Sequence, residues 1–130
     1  MIAVILASGR LDHLYTGLSL LVSVAAEGEP ARGLATFAAL GPLLDPGLAD
    51  RARRPEEVPA LSSPGREVFA RTLAELRDVA AELPDCRIWA CAAAVETTGA
   101  ASADVDARLD GVLSTPRFLR EVGDARLVVV

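Results

Sequence analysis

The sequence predicts an α/β domain: an open parallel sheet of four to five strands with helices on both faces. Three observations carry that reading. The chain starts with a continuous apolar run, Ile2-Ala3-Val4-Ile5-Leu6-Ala7, of the kind a central parallel strand shows when helices cover both of its faces. Short runs of this type alternate with longer segments whose apolar residues recur at helical spacing. The third run, Cys86-Arg87-Ile88-Trp89-Ala90-Cys91, leads straight into a polar, glycine-ended loop, with a turn at Thr97-Thr98-Gly99.

In chain order, Ser8-Gly9-Arg10 ends the first strand. From Leu11 the positions Leu11, Leu14, Leu18, Leu21, Val22 and Ala25 fall on one helical face, and Gly28 stops that helix. Pro30 to Phe37 reads as the second strand, followed by Ala38-Ala39-Leu40, a Gly41-Pro42 breaker and a helical turn around Leu43-Leu44. Residues 45–64 contain Pro46, Pro55, Pro59 and Pro64, too many for one helix. A stretch of that length inside a compact domain usually covers a site or carries a small helix, so it is expected to be a lid or an oligomer contact, with Leu48 to Arg54 as its helical part. Ser63 as N-cap and Pro64 at the first helical position open the next helix. Its apolar stripe is Phe69, Leu73, Leu76, Val79, Ala80 and Leu83, and Arg66, Arg71, Glu75, Arg77, Asp78 and Glu82 form a solvated face. Pro84-Asp85 marks entry to the Cys86–Cys91 strand. A turn and helix follow from Ser102, Asp104 and Asp106 to Leu109, then a helix from Thr115-Pro116 stopped by Gly123, and a last apolar strand from Arg126 to Val130. The order is β-α-β-loop-α-β-α-α-β, with right-handed crossovers expected.

Size and charge bound the function. A chain of 130 residues fits one domain (1–130), and the 52% apolar content excludes a disordered chain. No window approaches 18 uninterrupted apolar residues, so no membrane span is expected. No basic segment precedes the first apolar run, as a secretory signal would require, and a cytoplasmic location is the expectation. Thirteen basic residues, all arginine, against eighteen acidic ones give a net charge of −5. Nucleic acid is therefore not an expected partner, since its binders need a basic face to displace counterions. The Arg51, Arg53, Arg54 cluster is followed at once by Glu56 and Glu57 and reads as a solvated loop. The Ser8-Gly9-Arg10 turn has one glycine and lacks both dinucleotide and P-loop patterns, so no nucleotide or flavin cofactor is expected there.

The cysteines carry the chemical argument. Five residues along an extended strand put Cys86 and Cys91 about 16 Å apart on opposite faces, outside disulfide reach. Structural zinc needs about four ligands, whereas His13 is the one histidine, so no metal is expected. Cys91 ends its strand at the edge of the sheet where ligands collect in open α/β folds. There, helix N-termini and a guanidinium would favour its thiolate. Cys91 is the candidate nucleophile; Ser8, Gly9, Arg10, Ala92 and Glu96 are the candidate substrate-binding residues, with Arg10 stabilising the anion and Glu96 a carboxylate of open role. Cys86, at the other end of the strand, reads as core filler.

Several segments, taken together and in order, resemble the DsrE/DsrF-like family of small sulfur-relay proteins, which includes the Dsr and Tus sulfurtransferase subunits and the YchN-type proteins. They are the first strand ending in Ser8-Gly9, the helix ending at Gly28, the strand ending near Thr36-Phe37, the run Ile88 to Gly99 with Cys91 eight residues before the glycine, and Leu109-Asp110-Gly111-Val112. The resemblance spans almost the whole chain. It implies a flavodoxin-like α/β fold, assembly into homotrimers or homohexamers, and persulfide sulfur carried on the matching cysteine, Cys91. Its partners would be sulfur donor and acceptor proteins or small thiols. The chain departs from the family pattern in the alanines after Cys91, where larger residues are common. The alternative expectation is a non-catalytic oligomeric module that binds a small ligand or protein in the strand-end cleft.

Overall fold

The computed structural model describes residues 1–130. Its elements are β1 (Ile2–Leu6), α1 (Leu11–Ala26), β2 (Ala31–Ala35), α2 (Leu40–Leu44), α3 (Leu48–Ala52), α4 (Ser63–Glu82), β3 (Cys86–Cys91), α5 (Ala92–Thr98), α6 (Ser102–Arg108), β4 (Val112–Leu113), α7 (Thr115–Val122) and β5 (Arg126–Val129). All strand pairs are parallel, in the order β4-β3-β2-β1-β5. This is a flavodoxin-like open parallel sheet, whose direction of winding reverses between β1 and β5.

The register assigns side chains to the two faces. Val4, Gly33 and Ile88 are aligned partners and lie under α1, where Leu21 closes on Gly33 and Ile88. Gly17 of α1 is there because a Cβ would overlap Leu6 and lie 2.9 Å from Val130, so the helix rests directly on the sheet. Next to α1 on the same face lies α4, with Tyr15 stacked on Phe69 at 5.2 Å between ring centroids. The other face is covered by α7, the crossover returning from β4 to β5. Its Phe118 is fully buried and meets Trp89 edge to face at 6.2 Å. Thirty residues form one continuous apolar core.

Several expectations are corrected. The N-cap of α4 is Ser62, whose Oγ accepts from the Gly65 amide; Ser63 is already the first helical residue. Gly41 and Pro42 do not break the chain but lie in the first turn of α2, where proline needs no amide donor. The alanine-rich stretch after Cys91 is not a loop but α5, closed by Gly99 in the left-handed conformation (φ 72°). Arg77 is not on a solvated face: it is buried, and its Nη1 donates to the carbonyls of Pro42, Leu43 and Asp45 at the C-terminal end of α2. That end carries orphan acceptors and partial negative charge, which is why a guanidinium settles there. The apolar last strand is a sheet edge, with Leu127 and Val129 exposed.

Residues 45–64 are tied down. Leu48, Ala52 and Val58 are buried, Arg51 pairs with Glu57 at 2.9 Å, and Arg53 reaches Glu67 of α4 at 2.9 Å.

Candidate functional site

Hydrogen bonding and apolar packing fix β3 at both ends. Asp110 accepts from the Ile88 amide through Oδ2 at 2.8 Å, and the Ala90 amide donates to Gly111. Gly111 holds φ 116°, a conformation that favours glycine. The Asp110-Gly111 turn thus sets the two-residue strand β4 beside Ala90 and Cys91. Cys91 follows at the C-terminal lip of the sheet as the N-cap residue of α5.

Cys91 is 4% exposed. Its Sγ lies 3.9 Å from Oγ1 of Thr115, the first residue of α7. α7 is capped there by Ser114, whose Oγ accepts from the Arg117 amide. Cys91 therefore stands where two helices begin, although its side chain makes no capping hydrogen bond to α5. The thiol is almost closed over, and the polar group beside it is a hydroxyl that can donate to a sulfur anion.

The other candidates are divided by the topology. Ala92 opens α5 and is half-buried; Glu96 lies on the same helix, exposed. Ser8, Gly9 and Arg10 follow β1, which is separated from β3 by β2, or roughly 10 Å at ordinary strand spacing. Gly9 packs on Ala38 and not on the cysteine. The Arg10 guanidinium is engaged by Asp12 at 2.8 Å, and holds that carboxyl below its usual range. Ser8 accepts from the Arg10 amide. The structure thus brings Ala92 and Thr115 to Cys91, and keeps the Ser8-Gly9-Arg10 turn apart. Thr115 escaped the sequence reading because it lies 24 residues away, and Thr115-Pro116 reads only as the start of a helix.

Cys86, at the other end of β3, is buried, and its thiol is pushed up to about 11, first by burial and then by the Asp110 carboxylate, with Arg32 opposing. It is held as the neutral thiol. No three His, Cys, Asp or Glu side chains converge as a metal site would need. No helix is long and apolar enough to cross a membrane.

Beside α5 lies an apolar groove of about 350 Å³, lined by Phe37, Leu40, Leu44, Thr98 and Ala100 among others. Phe37 holds φ 37°, with 52% of its surface exposed, a strained conformation for a bulky residue.

Fold and site define an open parallel α/β domain with one cysteine at the C-terminal lip of its sheet. No protein-family model matches the chain, and no curated protein matches it.

Proposed function

We propose that the protein is a sulfur carrier of the DsrE-like type, with Cys91 as the residue that holds persulfide sulfur. The observation that carries this reading is the position of Cys91: N-cap of α5 and 3.9 Å from the hydroxyl of Thr115 at the start of α7. The Cys91 thiolate attacks the outer sulfur of a donor persulfide, R-S-SH. A Cys91 S–S bond forms, the donor S–S bond breaks, and the donor leaves as thiolate. An acceptor thiolate then attacks the outer sulfur of Cys91-S-SH and returns Cys91 as thiolate, so no net oxidation occurs. Thr115 donates to whichever sulfur carries the charge. Because the sulfur is nearly closed over, a persulfide reaches it only after local opening around Cys91.

Assembly into homotrimers or homohexamers in the cytoplasm belongs to the same reading. It is supported by the apolar side chains left open at Leu127 and Val129 on the β5 edge, since an uncovered edge strand is a template for pairing. The experiment for the carrier function is incubation with a small-molecule persulfide followed by intact mass. Addition of one sulfur to the wild type and none to Cys91→Ala supports it; an unchanged adduct in that variant removes Cys91 from the mechanism.

A second reading, a non-catalytic ligand- or protein-binding module, is favoured by the burial of Cys91 and by strained, exposed Phe37 on the groove beside α5. Iodoacetamide labelling separates the two. Slow modification of Cys91 at neutral pH favours the binding module, and rapid modification favours relay.

A further inference from the structure

The two edges of the sheet are finished differently. On the outer side of β3 each outward amide is occupied: Cys86 donates to the Leu83 carbonyl, Ile88 to the Asp110 carboxylate and Ala90 to the Gly111 carbonyl, while the Ile88 carbonyl accepts from the Asp110 amide. The opposite edge, β5, has no such guard. It pairs only with β1, and Val130, whose amide donates to Ile5 and whose carbonyl accepts from Ala7, fixes which residues face that neighbour. Backbone groups alternate sides along a strand, so Arg126, Val128 and Val130 turn theirs to β1. Leu127 and Val129 turn amide and carbonyl outward, where no group of the chain meets them.

The same two residues carry the exposed side chains. Val130 lies against Gly17 of α1, so Val128 shares that face of the sheet, and Leu127 and Val129 project from the other. There α7 packs over β2 and β3 and leaves Leu127 48% and Val129 62% exposed, beside half-buried Ile5, the aligned partner of Val129. Unpaired amides call for a strand, and the apolar pair on one face calls for an apolar pair at matching spacing.

We propose that the β5 edge binds the same edge of a second copy of this chain, antiparallel across a two-fold axis at Val128. Leu127 then exchanges both backbone bonds with Val129 of the second copy, and Val129 does so with its Leu127, which satisfies every outward group of the strand. On one face each exposed Leu127 lies directly across from an exposed Val129; on the other the two Val128 side chains meet. An axis at Leu127 would instead oppose Val129 to Ala125, whose amide is already given to Val122. This self-complementarity favours a second copy over an extended segment of another protein. The contact rests on the edge invoked above for assembly and is independent of the sulfur chemistry; it occurs in a hexamer that contains two-fold axes and not in a simple trimer.

The test is sedimentation of the full chain at about 100 µM, where an even number of protomers is expected. Val129→Pro removes an amide that β1 does not use, which an edge strand tolerates, and should halve the assembly with far-UV circular dichroism unchanged; Cys91→Ala should assemble as the wild type does. Register is read by diamide oxidation and non-reducing electrophoresis. Val128→Cys should crosslink to a dimer, because a non-hydrogen-bonded pair lies within disulfide reach, whereas wild type and Leu127→Cys should not. A monomer, which would leave the edge to another protein, a trimer, an assembly undiminished in folded Val129→Pro, or crosslinking no greater at Val128→Cys than at Leu127→Cys would overturn the proposal.

Discussion

The two cysteines of β3 show how little a residue type decides by itself. Cys86 and Cys91 share a strand, a low exposure and five residues of separation, but only Cys91 lies where two helices begin. At Cys86 the folded thiol titrates near 11, against an ordinary value of 9.0. A raised thiol pKa means that the fold favours the protonated form. The stabilisation is intact below pH 9 and is lost as pH rises through 11. Urea unfolding across that range should show stability falling, with a shallower fall in Cys86→Ala. Gly17 gives a second prediction at this scale: Gly17→Ala drives a methyl into Leu6 and Val130 and should lower stability by about 1–3 kcal/mol in the same assay. The places of the two cysteines, at opposite ends of one apolar strand, are legible in the sequence. Thr115 and the engagement of Arg10 by Asp12 are not, since both depend on where distant or flexible groups come to rest.

At the scale of elements, α7 is the piece that brings Thr115 to the candidate site. It is only eight residues long, too short to be stable by its own propensity, and is held by its Ser114 cap and by Phe118 against Trp89. Phe118→Ala should destabilise the protein by about 3–5 kcal/mol, read by thermal or urea unfolding. Ser62→Ala removes the acceptor for the Gly65 amide and should cost about 1 kcal/mol, whereas Ser63→Ala should be close to neutral, placing the cap one residue before the position that Ser63-Pro64 suggests. The long apolar stripe of α1 announces itself because tertiary packing uses the same face that the sequence repeats; that of α4 does so only in part, since Val79 is exposed and Arg77 is buried. Short α5 does not, because Thr97-Thr98-Gly99 looks like a turn, although alanine is the strongest helix former and the glycine is only the cap at its end. Arg77 was misleading for a related reason: its burial is explained by carbonyls 32 to 35 residues away.

For the whole molecule, alternating apolar runs and helical periods suffice to give a parallel α/β sheet, because each βα unit is recognisable locally. The strand order β4-β3-β2-β1-β5 is a different matter. It separates Ser8-Gly9-Arg10 from Cys91 by a strand and makes β5 an edge, and neither consequence is written in local periodicity. An edge bearing exposed Leu127 and Val129 should associate, and light scattering after Val129→Arg should report smaller particles than the wild type. The central proposal, that the buried thiol of Cys91 at the lip of this sheet carries sulfur, is tested most directly by intact mass after exposure to a small persulfide. The account predicts one added sulfur on the wild type and on Cys86→Ala, and none on Cys91→Ala. An adduct that survives in Cys91→Ala, or a wild type that acquires none, contradicts it.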